Sequence, residues 1–267
     1  MTDREALPLA QRPDADLPGH WLLARLGKRV LRPGGLELTS RLLGAAGITG
    51  ADVVELGPGL GRTATDIVAQ HPRSYVGVDD TAAAGEAVRK IVAPVNGKVV
   101  VANAAETGLA SDSADVVIGE AMLTMQGDKD KRAIVAEAFR VLRPGGRYAI
   151  HELGLAPDDI AQDTKDEIRR DMSRAIKVNA RPLTTAEWAA LLTDAGFTVD
   201  TVDHAKMALL NPARVLADEG PLGALRIVGN LIRRPAARKR VIGMRKTFHR
   251  YRHTLTAVAL VGVVPES

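Results

Sequence analysis

Val53-Val54-Glu55-Leu56-Gly57-Pro58-Gly59-Leu60-Gly61-Arg62 is the stretch on which the reading of this chain turns. Mostly apolar residues predict a buried strand, glycines follow at every second position, and a helical pattern opens behind them. Glycine at alternate positions lets the backbone turn sharply and leaves no side chains between the loop and a ligand lying across it. The spacing selects among ligands. The dinucleotide fingerprint G-x-G-x-x-G would place glycine at 62, where Arg62 stands. The pattern present is E-x-G-x-G-x-G. Its acid at the strand's end suits a ligand carrying a cation near the loop, not a pyrophosphate held at a helix N-terminus.

Working outward, strands are predicted over Asp52–Leu56, Ser74–Val78, Lys98–Ala102, Asp115–Gly119, Arg147–Leu153, Thr198–Ala205 and Leu255–Val264. Helical patterns stand between them, and Leu142-Arg143-Pro144-Gly145-Gly146 reads as a stop before the fifth strand. Such alternation predicts an α/β fold, doubly wound, with a mostly parallel seven-stranded Rossmann-like sheet and its site at the strands' carboxyl ends. Residues 1–47 read as an N-terminal arm and helices, the arm being loose over 1–17. Residues 48–208 form the core, 209–254 a helical cap insertion, and 255–267 the last strand and C-terminus.

Three further matches follow in order: Asp79 lies 18 residues after Gly61, Asn103-Ala104-Ala105 follows the third strand, and Ser113-Ala114-Asp115 opens the fourth. With these the chain resembles the class I S-adenosylmethionine-dependent methyltransferases over about residues 48–200, most of all their small-molecule (type 11-like) group. That resemblance implies S-adenosyl-L-methionine as cofactor and S-adenosyl-L-homocysteine as product. The implied cofactor residues are Glu55, Gly57, Pro58, Gly59, Gly61, Asp79, Asp80, Asn103, Ala104, Ala105, Gly119 and Glu120. Asp79 would accept from both ribose hydroxyls, while Asp80 is expected to cap the following helix. Asn103 replaces the family's usual acid, and its amide can still accept from the adenine amino group and donate to the ring. The loop Glu120–Met125 would pass beside the transferable methyl, with Met122 and Met125 as apolar lining.

Methyl transfer from a sulfonium needs a general base only where the acceptor arrives protonated. His151 is the first candidate, expected with Glu152 at the cleft rim. Glu120 is second, and His20 third if the N-terminal helix closes over the cleft. A structural role weighs as much for each. The six histidines are dispersed, so no metal site is expected.

Composition narrows the rest. An apolar share of 46% supports a globular core, and an aromatic share of 3% makes aliphatic packing dominate. Without cysteine there are no disulfides, thiolate metal sites or cysteine nucleophiles. No apolar run approaches a membrane span, so the expectation is a cytoplasmic protein. Ten basic residues and no acid lie between Gly220 and Pro265; taking them from the net charge of +4 leaves −6 elsewhere, so the basic character is local. Pro221–Ile232 is apolar nearly all round. Ala237, Val241, Met244, Phe248 and Tyr251 form one helical stripe beside a basic face. The segment is expected to lid an apolar acceptor, with Leu222, Leu225 and Val228 lining the pocket. The basic stretch 233–252 would face solvent, or make peripheral contact with an anionic group or membrane surface.

Three functions are thus weighed: a methyltransferase for a small apolar or aromatic acceptor, one for nucleic acid, and a non-catalytic cofactor-binding module. Nucleic acid is disfavoured, for the chain offers no aromatic platform on which bases would stack.

Overall fold

β1 (Asp52–Leu56) lies inside the sheet, third in its strand order, because both of its faces are largely apolar and both are covered. Its period-two alternation sends Val53 to one layer and Val54 and Leu56 to the other. Parallel strands flank it, β2 (Ser74–Asp79) and β3 (Lys98–Val101) on one side, β4 (Ala114–Glu120) and β5 (Leu142–Leu155) on the other. A two-residue β6 (Leu183–Thr184) pairs with the end of β5. β8 (Leu255–Val263) runs antiparallel between β5 and β7 (Thr198–Lys206), giving the order β3-β2-β1-β4-β5-β8-β7. The sheet therefore has eight strands, one more than expected; two residues carry no alternation from which a strand could be read. The computed structural model describes residue 7 and residues 9–266, without the side chains of 83 and 84.

One face of the sheet is covered by α2 (Gly35–Ala46), α3 (Arg62–Val68) and α4 (Ala82–Val92), through Leu38, Leu42, Ile67 and Val88. The other is covered by α5 (Asp128–Val141) and α7 (Thr185–Thr193), through Ile134, Val135, Trp188 and Leu192. Thr184 and Glu187 form a reciprocal capping box that fixes the start of α7 and so the placement of the buried Trp188. A third apolar cluster stands beyond the strands' carboxyl ends. It joins α1 (Gly19–Arg25), α6 (Gln162–Ile176) and α9 (Pro235–Arg250) to Leu153 and Leu155 of β5. α8 (Pro212–Arg233) runs into α9 through the single residue Arg234.

Two expectations are corrected here. Leu142–Gly146 does not interrupt the sheet: Leu142 pairs with Ala114, the register shifts, and Gly145 (φ 76) and Gly146 bond to Val264. The break residues make a bulge rather than a stop. Residues 9–17 are not a loose arm either. Arg25 donates to the carbonyls of Leu9, Ala10 and Arg12 and, at 2.8 Å, to Asp14, while Leu17 is buried. Residues 1–6 and 8 of that expected arm lie outside the described residues.

Candidate active site

A cleft of about 820 Å³ opens where β1, β2, β3 and β4 end, between those ends and the cap. Its size is that of a small-molecule site. Gly57 (φ 67) and Gly59 (φ 54) line it in the left-handed region that L side chains avoid, so the loop's backbone is bare towards the cleft. Gly61 is different. It does not line the cleft, and a Cβ there would lie 2.5 Å from Ile91 Cδ1, so this glycine lets α3 and α4 close together.

Asp79 is nearly buried at the end of β2 and accepts from Gly59 N at 3.2 Å and Thr81 N at 2.9 Å. Burial pushes its pKa up, partly offset by those two amides. Each oxygen accepts one bond and keeps further acceptor capacity in a residue that lines the cleft, which suits a diol. Asp80 is exposed and accepts from Thr81 Oγ1; the N-cap of α4 is Thr81, with no side-chain cap bond. The capping expected of Asp80 is therefore corrected: the carboxylate that meets the backbone there is Asp79's. Asn103 Oδ1 accepts from Ala105 N at 2.8 Å, which orients its NH₂ donor, and Ala104, Ala105 and Pro58 line the same end. Glu55 is buried, and Tyr75 Oη donates to its carboxyl at 2.6 Å. Burial pushes its pKa up to about 8, so an adjacent cation would draw its proton away. A diol acceptor, a base-edge reader and an acid awaiting a cation match the parts of an adenosyl sulfonium amino acid. Gly119 lies within β4 and does not line the cleft.

Glu120 lines the cleft but is saturated. Arg32, Thr63 Oγ1, Thr39 Oγ1 and His151 Nδ1 all hydrogen-bond its carboxylate. Burial alone would raise its pKa, but the Arg32 charge and the bonds from His151 and Thr39 outweigh it and hold it at about 2. A carboxylate held that low is a poor base. His151, expected at the rim, is fully buried and does not line the cleft. Gly34 N donates to its Nε2 at 3.2 Å, so the ring proton sits on Nδ1 and faces Glu120. Glu152 is equally buried; it accepts from the amides of Met122, Leu123 and Thr124 and from Thr124 Oγ1, and so fixes the loop after β4. Both placements follow from what packs on the faces of β5, Gly34 and Thr39 over His151 and the loop 122–124 over Glu152, which the sequence of β5 does not reveal.

His20 lines the cleft from α1, its ring 4.8 Å from that of Trp21. Burial lowers its pKa to about 4, and it has no hydrogen bond among the described residues. Around it the cleft is apolar. Met122, Met125, Met172, Met207 and Met244 line it, with Phe248 from α9. Leu222, Leu225 and Val228, expected here, are exposed and point elsewhere. Sequence reasoning missed Arg32 and Thr63. Arg32 stands in a Pro-Gly-Gly turn that reads only as a helix break, and no spacing links it to Glu120, 88 residues on.

The architecture and the cleft define a class: a Rossmann-like enzyme with a bare glycine loop and an acid closing the second strand at the carboxyl ends of its sheet. A methyltransferase-domain family model matches residues 53–146. The chain is 37% identical over 253 residues to an uncharacterized protein of Haemophilus influenzae, covering 92% of this chain and 97% of that one. In fold it is similar to a phosphoethanolamine N-methyltransferase of Haemonchus contortus crystallised with phosphomonomethylethanolamine and S-adenosylhomocysteine. That likeness has TM-score 0.69 and 16% identity, over all of this chain and 61% of that one. A geranyl diphosphate methyltransferase with bound cofactor matches at TM-score 0.62 and 17% identity, over 85% and 84% of the two chains. Residues 53–146 thus match a methyltransferase domain, and the fold around them is that of the S-adenosylmethionine-dependent methyltransferases.

Proposed function

We propose that the enzyme methylates a small, largely apolar acceptor held between the loop after β4 and the α1–α6–α9 cap. The observation that carries this reading is the lining: five of the chain's six methionines face one cleft. Thioethers are flexible and polarizable, so such a wall adapts to apolar shapes and offers polar or charged substrates little. Bound S-adenosylmethionine supplies a methyl already activated on a sulfonium, which leaves alignment and water exclusion to the protein. On the cofactor side, Asp79 would hold the ribose, Asn103 the adenine edge and Glu55 a cation. Arg32 lines the cleft too, but its guanidinium is engaged by Thr63, Glu120 and Asp66. For an acceptor arriving as a phenol or alcohol, His20 is the one of the three base candidates that is neither saturated nor walled off. Its low pKa leaves it unprotonated at ordinary pH but a weak base; the hydroxyl proton it would take becomes strongly acidic as the oxygen–methyl bond forms.

The test is turnover of the purified enzyme with S-adenosylmethionine against a panel of phenolic, prenyl and polar amine acceptors, with a nucleic-acid oligomer alongside. Activity confined to the apolar members supports the reading; activity only on the oligomer or on polar amines sinks it. In His20→Ala, kcat for a hydroxyl acceptor should fall by about 10²–10⁴ with cofactor affinity unchanged. An unchanged kcat would remove His20 as the base while leaving the pocket assignment standing.

A further inference from the structure

The cap turns an apolar face to solvent that no described part of the chain covers. α8 bends at Gly220 (φ 71), and beyond the bend it buries only Ile227 and Asn230. Leu222, Leu225, Val228 and Ile232 are 81%, 68%, 52% and 68% exposed. At about 100° per residue these four fall within an arc of roughly 120°, opposite Ile227 and Asn230. Single exposed aliphatics are ordinary; a contiguous stripe of four marks an interaction surface. Arg226 and Arg233 flank the stripe, and α9 follows after one residue. On α9 the inward positions are Ala237, Met244 and Phe248. Its outward positions are Arg238, Lys239, Arg245 and Lys246, set around the half-exposed Ile242. None of these cations has an acidic partner among the described residues, whereas Arg234 and Arg250 are paired to Asp14 and Asp171.

We propose that this face docks the enzyme on an anionic lipid bilayer, the α8 stripe entering the headgroup–acyl boundary and the α8–α9 cations meeting lipid phosphates. An amphipathic element of this kind binds in the interface plane, through apolar burial together with attraction to anionic lipid. Charge decides against the other occupants. A two-fold contact with a second copy would press like cations together in a self-complementary interface. A nucleic acid would match the cations, but it would leave four aliphatics desolvated against phosphate, with no aromatic ring on the face for bases to stack on. The chain outside Gly220–Pro265 carries a net −6, so an anionic surface repels the rest of the molecule and selects the cap-first orientation. The membrane contact thus centres on the α8 stripe; the stretch 233–252 contributes cations rather than the inserted surface.

The experiment is co-sedimentation of the full-length protein with phosphatidylcholine vesicles and with vesicles of phosphatidylcholine plus phosphatidylglycerol, across a salt series. The wild type should sediment with the anionic vesicles only, and salt should release it. Leu225→Asp/Ile232→Asp should weaken that binding by more than about tenfold, from the lost apolar burial alone. Arg238→Gln/Lys239→Gln should weaken it by about fivefold for each cation. All four positions are exposed, so melting temperature and calorimetric cofactor affinity should stay at wild-type values and report an intact fold. Sedimentation equal on both vesicle types, on neither, or unaltered in Leu225→Asp/Ile232→Asp would overturn the proposal. A dimer on sizing that this variant splits would reassign the face to a second copy, and salt-sensitive retention on a nucleic-acid duplex without vesicle binding would reassign it to nucleic acid.

Discussion

Asp79 and Asp80 are adjacent carboxylates with opposite surroundings, one folded against two backbone amides at the cleft and the other facing water. Asp79→Ala should weaken S-adenosylmethionine binding by about 1–3 kcal/mol in calorimetry, the range for losing charge-assisted hydrogen bonds. Asp80→Ala should leave melting temperature near wild type, because no helix amide depends on it. A larger binding loss in Asp80→Ala would place the ribose on the outer carboxylate. Glu55 gives a second prediction at this scale, with a definite sign. Its native pKa of about 8 stands above the ordinary 4.5, so the native state keeps a proton that the unfolded chain releases from about pH 4.5 upward. The ligand-free protein therefore loses stability as pH rises from 4.5 towards 8. Glu55→Gln keeps an acceptor for Tyr75 and removes the titration. It should be more stable than wild type at pH 8 by on the order of 3 kcal/mol and similar near pH 4.5. The same variant should bind the cationic cofactor more weakly, and only the wild type should release a proton on binding, read by calorimetry in buffers of different ionisation enthalpy. Parallel stability–pH curves for the two proteins would show that Glu55 is ionised throughout.

Among the elements, the strand–loop–helix around Gly57 and the acid ending β2 were legible in the sequence, because period-two alternation and glycine spacing are local properties. The side of a helix that ends up covered is not local. Pro221–Ile232 is apolar nearly all round, and from the sequence Leu222 has as much claim on a pocket as Ile227; only the packing of α8 against Leu26 and its neighbours, through Asn230 Nδ2, selects the inner face. His151 escaped for a related reason: its environment is made by Gly34 and Thr39 at the start of α2 and by Glu120 of β4, two segments distant from it in sequence. The stripe on α9 was read in register, since its apolar face is narrow and its basic face wide. Phe248 and Met244 on that stripe reach the cleft. Phe248→Ala should accordingly raise KM for an apolar acceptor by at least about tenfold, the equivalent of the lost ring contact. It should lower stability by about 3 kcal/mol and leave cofactor affinity unaltered, because none of the residues proposed to hold the adenosyl group lies on α9. An unchanged KM beside that stability loss would make the α9 stripe packing only.

Across the whole molecule, one buried cluster ties the N-terminal loop to both halves of the sheet. Arg32 comes from the turn before α2, Thr39 from α2, Thr63 from α3, Glu120 from β4 and His151 from β5, and every link converges on one carboxylate. Such a cluster is a registration device more than a source of stability, since taking two charges out of water offsets most of their attraction. Breaking it from one side is another matter. In Arg32→Ala, Glu120 would stay buried with its main counter-charge gone, and the expected cost is about 3–5 kcal/mol at pH 7 in chemical denaturation. Arg32→Met/Glu120→Gln should recover much of that loss, which makes the two single changes strongly non-additive. The acid limb of stability supplies an independent check. Glu120 is held at about 2, below the ordinary 4.5, so its contribution is complete above pH 4.5 and is lost as pH falls towards 2. Without Arg32, burial becomes the dominant influence on the carboxyl and raises its pKa, and that acid-dependent loss should shrink or reverse. Single variants that each cost less than about 1 kcal/mol and add without coupling would mean that Arg32 reaches the cleft without holding the N-terminal loop to the sheet.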